Sequence, residues 1–425
     1  NQVITHDELV ETNHDNPLDF IEQFQARFKA ALLPGLPRFC GGLAGYFGYD
    51  TVRYIEHKLA NSTPKDDLHL PDIQLLLTEE LAVIDNLAGK LYLIVYANTD
   101  HPDAYQKAQQ RLQLLLDCLD QPIKSQKSFA TAKTESVRHF GKDEFIKKVN
   151  LTKEYILAGD CMQVVFGQRI SQAYTESPLN LYRALRSLNP SPYLYFYDFG
   201  DHQLVGSSPE ILVRQEKFSI AGNSSQSRKV TVRPLAGTRP RGKTPELDAE
   251  LARELLADPK EIAEHVMLID LARNDIGRIA TIGSVKVTEK MAIEKYSHVQ
   301  HIVSSVEGEL RKDVSNMDVL RATFPAGTLS GAPKIRAMEI IDEMEITKRG
   351  PYGGAAGYLS FSGDMDVAII IRTGVIHNGW VHSQAGAGIV ADSNPESEYL
   401  ETEAKARAVL RAVELVQGGL HAPHD

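Results

Sequence analysis

The sequence predicts an α/β (α+β) fold in which helices flank large, mostly antiparallel β-sheets. Helix and strand patterns alternate along most of the 425 residues, and short turns join neighbouring strand-like runs. LAVIDNLAGKLYLIVYA (81–97) is typical of two strands around a turn, and DVAIIIRTGVIHNGWVHSQAG (366–386) repeats that pattern. Short turns between strands favour antiparallel pairing.

The individual elements follow in chain order. Residues 17–120 mix helical and strand-like stretches, and the polar run DQPIKSQKSFATAKTESVRH (120–139) is typical of a linker. Beyond it we expect helices at 142–159, 179–188, 245–279 and 334–345, and strands at 163–170, 193–199, 203–213, 357–361 and 367–375. The last helix should begin at Pro395, with Ser393 or Asn394 as its N-cap. The chain thus divides into residues 1–120, a linker or insertion at 121–140, and residues 141–418.

Composition limits the function classes. A net charge of -10 argues against nucleic acid or an anionic membrane as the main partner. The longest apolar runs, such as 266–269 and 368–371, are too short to span a bilayer, and no signal peptide is recognised. Three scattered cysteines fit a reduced, cytoplasmic enzyme better than a disulfide framework or zinc site. The chain begins at Asn1 rather than Met, so we expect residues to be missing from its N-terminus.

Three glycine-rich segments lie in the last quarter of the chain, at 324–334, 352–361 and 384–392. Clustered glycines let backbone N–H groups approach an anionic ligand closely. The third segment, QAGAGIVAD, formally matches a dinucleotide fingerprint. The helix should start only after Asn394, and the fingerprint lies near the end of the chain, so a nicotinamide site is disfavoured.

Two Glu-x-x-Glu pairs suggest a metal site. Glu261 and Glu264 share one helix face, as do Glu398 and Glu401. A solvated face is the ordinary interpretation, but the face of the first pair continues into Leu268 within an apolar run and should be buried. Buried like charges require a cation or a proton, and oxygen-only ligands suit Mg²⁺.

Four further side chains are candidates for binding or acid–base chemistry. Arg372 follows the apolar run AIII, and a buried arginine clamps a carboxylate of either the protein or a ligand. Glu210 in SSPE is a candidate acid–base group, as are His298 and His301 in SHVQHIV, although a lone histidine is more often structural.

Taken together, these segments resemble the chorismate-utilising enzymes. The resemblance runs from about Phe39 to the C-terminus and rests on motifs in a fixed order: FCGGLAGYFGYD, SSPE, RPLAGTRPRG, AEHVMLIDLARNDIGR, VQHIVS, PAGTLSGAPK, IIIRT, AGAGIVADS and EYLETEAKA. It implies two large, mostly antiparallel sheets packed as a sandwich and flanked by helices. It also implies that regions 1–120 and 141–418 interlock into one body.

The resemblance also implies roles for individual residues. Glu264 and Glu401 would hold Mg²⁺, with Glu261 and Glu398 close by. Backbone amides of the third glycine-rich segment would bind the ring carboxylate of chorismate, and Arg372 with Tyr352 would clamp the enolpyruvyl carboxylate. The remaining assignments are ring-carboxylate contacts from Gly386, Ala387 and Gly388, a ring pocket from Thr328 and Gly331, a general acid in Glu210, and a histidine near C2 in His301.

Two positions indicate which reaction to expect. Members that add water carry a lysine base where LAGDCMQVV has Gln163, so ammonia is the expected nucleophile. Members that aminate C4 typically carry lysine where RPLAGT has Ala236, so the amino group should stay at C2. These positions favour formation of anthranilate and pyruvate. Formation of aminodeoxychorismate remains the alternative, because LARNDIGR also suits those enzymes.

Two partners are implied. No cysteine lies in a nucleophile turn, so ammonia should come from a separate class I glutamine amidotransferase subunit in a hetero-oligomer. NPSPYLYFYDF (189–199) resembles a tryptophan feedback segment, with Pro192, Tyr193 and Leu194 as its contacts. The Leu-Leu-Glu-Ser motif that accompanies it is absent, so weakened inhibition is expected. The alternative is that the tyrosines form one face of an ordinary strand.

Overall fold

The computed structural model describes residues 1–5, 8–122, 134–219, 226–296 and 299–419. Its α-helices are α1 Pro17–Gln25, α2 Ala104–Leu119, α3 Lys142–Leu157, α4 Pro178–Leu188, α5 Pro245–Ala257, α6 Pro259–Gly277, α7 Asn316–Thr323, α8 Lys334–Met344 and α9 Pro395–Gln417. None of the helices within these ranges has both the length and the apolar composition needed to cross a lipid bilayer.

The β-strands within the same ranges are β1 Gln2–Thr5, β2 Glu8–Thr12, β3 Gly42–Phe47, β4 Ile73–Thr78, β5 Glu80–Asp85, β6 Lys90–Val95, β7 Ser136–Arg138, β8 Gln163–Ala173, β9 Tyr193–Asp198, β10 His202–Ser208, β11 Ile211–Ser219, β12 Gln226–Val232, β13 Leu235–Pro240, β14 Lys286–Lys295, β15 Val299–Glu309, β16 Gly331–Ala332, β17 Ala355–Ser360, β18 Met365–Ile369, β19 Thr373–His377 and β20 Trp380–Ile389.

Two large antiparallel sheets dominate the molecule. A seven-stranded sheet has the order β16-β8-β20-β19-β10-β9, with β7 also paired to β8. A nine-stranded sheet has the order β13-β15-β12-β11-β18-β17-β3-β4, with β14 also paired to β15. Pairs β1–β2 and β5–β6 form small separate sheets. The predicted fold class is confirmed.

The faces of the two large sheets meet in a buried cluster. Tyr46 of β3 and Ala356 of β17 pack there with Leu204 of β10 and Ile370. The Tyr197 hydroxyl of β9 donates a hydrogen bond to the Gly357 carbonyl (3.0 Å), which ties one sheet to the other.

Helices cover the outer faces. Against the nine-stranded sheet, the core includes Leu18 of α1, Ile276 of α6 and Leu320 of α7. Against the seven-stranded sheet, Phe145 of α3 packs on Phe166 of β8, with ring centroids 4.8 Å apart. This burial of large apolar side chains on both sides fixes the sheets from which the site is built.

Strands from the two predicted regions pair with each other in one sheet. Strands β3 and β4 come from residues 1–120, yet β3 pairs with β17 of the later region. Within the predicted linker, residues 123–133 lie outside the described ranges, whereas β7 belongs to the seven-stranded sheet.

Three predicted elements are interrupted. The strand expected at 203–213 divides, because β10 ends at Ser208 in one sheet and β11 begins at Ile211 in the other. The helical segment 245–279 divides at Asp258, whose ψ of 111° is extended, because the residue before a proline avoids the helical conformation. The strand expected at 367–375 also divides, because Arg372 has a φ of 49° and the chain leaves one sheet for the other there. The start of the last helix agrees with the prediction, since the Asn394 side chain caps it by accepting from Glu396 and Ser397 N–H.

Candidate active site

The candidate site lies where two neighbouring strand connections pass from one large sheet to the other. Glu210 lies between β10 and β11, and Arg372 lies between β18 and β19. Backbone hydrogen bonds join the connections, from Ser207 N to the Arg372 carbonyl (3.2 Å) and from Ile369 N to the Glu210 carbonyl (3.0 Å). An acid and a cation that are 162 positions apart in the chain are therefore held side by side by main-chain geometry.

Glu210 is suited to donate a proton. Its side chain is buried, and burial raises its pKa to about 8, although the Thr328 hydroxyl and the Arg372 charge oppose the rise. The Thr328 Oγ1 donates to Glu210 Oε1 (3.1 Å). Since the charged form is disfavoured by desolvation, the carboxyl keeps its proton near neutral pH, as a general acid requires.

Arg372 is a half-buried cation without a protein counter-ion. Among the described residues, its guanidinium makes no hydrogen bond or ion pair, and burial lowers its pKa. It nevertheless stays charged, because an arginine pKa lies far above physiological pH. A desolvated, unneutralised guanidinium is suited to bind a carboxylate from solution.

His301 is held in one tautomer. Its Nδ1 lies 2.8 Å from the Gly237 carbonyl, which can only accept, so Nδ1 carries the hydrogen. Nε2 has no hydrogen-bond partner among the described residues. Burial lowers the pKa of His301, which therefore presents neutral Nε2 as a base. Ala236 of β13 pairs with Ile302, the residue after His301.

Most of the third glycine-rich segment, residues 384–392, belongs to β20, which is called the glycine strand below. Its pairing with β19 ends at Ser383, while its pairing with β8 continues to Ile389, so one edge of the Gly386–Gly388 segment is left open. A Cβ added at Gly386 would lie 3.0 Å from the Tyr352 hydroxyl, and one at Gly388 would lie 2.6 Å from Gln163 Nε2. Both glycines therefore face predicted site residues at close range.

Gly331 lies on the other side of β8. It pairs with Val164, and its φ of 139° together with a 2.1 Å approach of a virtual Cβ to the Gln163 carbonyl excludes any larger residue.

The first carboxylate pair lies in the first turns of α6. Glu261 and Glu264 are both half-buried, and burial, then the Glu264 charge, raises the pKa of Glu261. Gln163 Nε2 donates to Glu264 Oε1 (3.1 Å). The pair was predicted to be buried, and the structure leaves both side chains half-buried.

The second pair lies at the start of α9. Burial raises the pKa of Glu398, with the Glu401 charge acting in the same direction and Lys260 of α6 opposing it. Each helix N-terminus favours the negative charge of its own pair. The effect of the Lys260 charge on Glu398 shows that the starts of α6 and α9 lie near each other. Glu401 also accepts an ion pair from Lys405 (2.7 Å).

These carboxylates fit Mg²⁺ as candidate ligands. Within the described ranges, no three His, Cys, Asp or Glu side chains converge closely enough to hold a metal ion by themselves. Mg²⁺, however, usually keeps several waters and takes one or two carboxylates plus substrate oxygens. Glu261, Glu264 and Glu398 are half-buried and Glu401 is exposed, and all four offer only oxygen donors, which suits such a site. Glu264 and Glu401 stay the predicted direct ligands.

Lys405 contributes more than the sequence suggested. Besides pairing with Glu401, its Nζ donates to the Gly386 carbonyl (2.9 Å). Its charge also opposes the rise in the pKa of Glu210. Tyr296 was also missed; its ring lies 5.5 Å from the His301 ring, edge to face. Neither contact has a sequence signal beyond the i, i+4 spacing of Lys405 from Glu401.

The predicted feedback segment lies on β9, an edge strand. Tyr193 pairs with Ser208, two residues before Glu210, and its hydroxyl donates to Asp366 Oδ1 (2.9 Å). Leu194 is half-buried and Pro192 is exposed. His298 lies outside the described residues.

Comparisons with known proteins agree with this architecture. A family model described as chorismate binding enzyme matches residues 1–411. Anthranilate synthase component 1 of Neisseria meningitidis serogroup A is 58% identical over 421 residues, which is 98% of this chain and 84% of that protein. The Pseudomonas aeruginosa protein of the same name is 55% identical over 407 residues, 95% of this chain and 81% of the relative. A crystal structure of anthranilate synthase component I from Streptococcus pneumoniae superposes with a TM-score of 0.83 at 39% identity, over 96% of this chain and 90% of that one.

Proposed function

The chain belongs to the chorismate binding enzyme family, and we propose that it is the large component of an anthranilate synthase. The family predicted from the motifs is thereby confirmed. The proposed reaction converts chorismate and ammonia to anthranilate and pyruvate through 2-amino-2-deoxyisochorismate, with Mg²⁺ required, as the first step of tryptophan biosynthesis. Relatives of that name, at 55–58% identity, support the assignment.

The observation that carries the proposal is Gln163. Its side-chain amide is buried and donates to Glu264, at the position where water-adding enzymes need a lysine base. An amide cannot remove a proton from water near neutral pH. Ammonia needs no such activation, because its lone pair is already free to attack.

Substrate placement follows from the charges. Arg372 with Tyr352 would bind the enolpyruvyl carboxylate, and the open edge of Gly386–Gly388 would meet the ring carboxylate. When bound by Glu264 and Glu401, Mg²⁺ would neutralise the ring carboxylate and fix its position. Thr328 and Gly331 would line the ring.

Proton transfer divides between two groups. Glu210 gives its proton to the C4 hydroxyl, which leaves as water while ammonia bonds to C2 and the two ring double bonds shift. The new ammonium group then releases one proton to solvent. In the second stage, neutral His301 Nε2 accepts the C2 proton, the C3–O bond breaks, and enolpyruvate leaves and becomes pyruvate. The ring is then aromatic. Burial supplies both states, a protonated acid and an unprotonated base.

The proposed partners follow from what this chain lacks. We assign ammonia delivery to a class I glutamine amidotransferase subunit, since the cysteines are Cys40, Cys118 and Cys161, none of them in a nucleophile turn. We also propose tryptophan inhibition through Pro192, Tyr193 and Leu194. A cytoplasmic setting suits these three cysteines, all free thiols.

The test is product identity. The purified chain is incubated with chorismate, Mg²⁺ and concentrated ammonium salt at mildly alkaline pH without a partner, and products are followed by fluorescence and chromatography. Anthranilate with equimolar pyruvate is expected. A 4-amino product without pyruvate would instead assign the chain to aminodeoxychorismate synthesis, the alternative left open by the motif LARNDIGR.

A further inference from the structure

A buried ion pair lies directly behind the candidate site. Glu345 follows the last residue of α8, and Arg349 lies in the loop beyond it. Their side chains are only 3% and 2% exposed, so this i, i+4 pair is unlike an exposed pair on a helix surface. Arg349 Nε donates to both Glu345 oxygens (3.1 and 2.9 Å), and Nη2 donates to Oε1 (2.7 Å).

The remaining donors of Arg349 bind two carbonyls next to site residues. Nη1 donates to the Leu329 carbonyl (2.7 Å), one residue after Thr328, which holds Glu210. Nη2 donates to the Val165 carbonyl (2.8 Å) of β8, and Val165 is the register partner of Gly388.

The pair also contacts the substrate-clamp side of the site. The Arg349 guanidinium carbon lies 5.6 Å from the Tyr352 ring centroid and 4.4 Å from that of Tyr49. Glu345 Oε1 accepts from Gly167 N (3.0 Å), at the position paired with Gly386. Glu345 Oε2 also accepts from Gln384 Nε2 of β20 (3.5 Å). One planar guanidinium and one carboxylate therefore join the Thr328 turn, β8, β20 and Tyr352.

Stability alone does not explain the pair. Replacing a buried ion pair with apolar residues of similar volume is often neutral or stabilising, because desolvation offsets the attraction. We propose that Arg349 and Glu345 are positioning residues, which set the relative placement of Thr328, the glycine strand and Tyr352 for the chorismate reaction. This inference rests on the proposed function of the same site.

The test uses two variants and one matched control. Arg349→Lys keeps the charge but has a single nitrogen, which cannot reach both carbonyls and the carboxylate. Glu345→Leu/Arg349→Met removes both charges together. Arg53→Lys is the control, because Arg53 is also a largely buried guanidinium that binds carboxylates (Asp50, Asp342) and a carbonyl (Leu59), without contacting a site residue.

We expect kcat/KM for chorismate to fall about 100-fold in Arg349→Lys, as displacements of about 1 Å do in active sites. KM should rise because displacement of Tyr352 and of the Gly386–Gly388 segment weakens substrate binding. kcat should fall because displacement of Thr328 moves Glu210. The double variant should melt cooperatively near the wild-type temperature yet stay impaired. Arg53→Lys should keep wild-type kcat/KM even where its melting temperature drops.

Three results would overturn the proposal: wild-type kcat/KM in Arg349→Lys, recovery of activity in the double variant, or failure of both variants to fold while Arg53→Lys folds. Chorismate consumption is followed by its own absorbance, whatever the product. A wild-type enzyme that consumes chorismate without forming anthranilate refutes the proposed function, whereas the comparison among variants still tests the positioning role.

Discussion

Glu210 shows how burial keeps a carboxyl group protonated at the expense of its charge. Its pKa near 8 means that the folded protein keeps a proton that the unfolded chain releases near the ordinary carboxyl value. Its contribution to stability is therefore fully present below that ordinary value and is lost as pH rises through about 8. The acid is also lost as a donor over the upper part of this range, so kcat/KM should decline above about pH 8.

Glu210→Gln should separate these effects. The amide keeps the shape but cannot donate a proton to a leaving hydroxyl, so kcat should fall by about 10²–10⁴. It also never ionises, so its melting temperature should drop less than that of the wild type between pH 6 and pH 9. Product assays and a pH series of thermal melts measure both. The assignment would be contradicted if the melting temperatures of Glu210→Gln and the wild type changed equally with pH, or if Glu210→Gln kept wild-type turnover.

Glu264→Gln should remove a metal carboxylate. Turnover should be abolished or nearly so, and Mg²⁺ binding measured by calorimetry in the presence of chorismate should weaken by at least about 10-fold. The control is Glu250→Gln, an exposed glutamate on α5. Undiminished turnover of Glu264→Gln at saturating Mg²⁺ would exclude Glu264 from the site.

Ala236→Lys tests the control of regiochemistry. Ala236 is buried on β13, opposite the residue that follows His301 on β15. A lysine amine placed there would compete with ammonia for C2. We expect the product to shift to a 4-amino compound or the reaction to stall, as judged by chromatography. Ala236→Met, with similar length and no amine, should still give anthranilate. Unchanged anthranilate from the lysine variant would show that this position does not direct amination.

Motifs in the sequence indicated Glu210, His301 and Arg372, and the structure places all three at the candidate site. Their roles stay predictions. Arg349 and Glu345 were not identified from the sequence, because their i, i+4 spacing is also that of any exposed helix pair. Their burial depends on the Thr328 turn, β8 and β20, which lie far away in the chain.

At the scale of elements, the close approach of β8 and β20 shapes the glycine edge. A Cβ at Gly167 would come within 2.2 Å of the Ala385 carbonyl, whereas a Cβ at Gly388 would meet only the end of the Gln163 side chain. The two strands can therefore accept a methyl group at one of these positions and not at the other.

Gly167→Ala should destabilise the protein strongly, by about 2–4 kcal/mol, because neither backbone can move without breaking the ladder. Gly388→Ala should keep a melting temperature close to that of the wild type but raise KM, since Gln163 would be displaced from Glu264. Thermal melts and chorismate kinetics distinguish the two variants. Equal loss of stability in both would contradict this account of the strand pair.

Element boundaries were predicted well except where the chain passes from one large sheet to the other, within the strands expected at 203–213 and 367–375. Asn394 as N-cap and the proline after Asp258 are local signals, although the second was not used to divide the segment 245–279. The break at Arg372 has no local signal. A left-handed φ at arginine is uncommon, and the strands on either side impose it by belonging to different sheets.

At the scale of the whole molecule, β3 and β4 complete a sheet whose other strands come from after residue 210. Regions 1–120 and 141–418 should therefore unfold together, in one calorimetric transition. A fragment of residues 141–418 alone would expose the edge of β17 and should aggregate. Two well-separated transitions, or a soluble and folded fragment, would show that the regions are independent.

The strand order has a consequence for synthesis on the ribosome. In the seven-stranded sheet, β8 and β10 are linked only through β19 and β20, which are the last two strands to be translated. Until about residue 389 has emerged, the earlier strands have open edges, and the carboxylates of α9 do not yet exist. The nascent chain is thus inactive and prone to aggregation for most of its translation, and a chaperone that covers strand edges would be needed longest by this sheet.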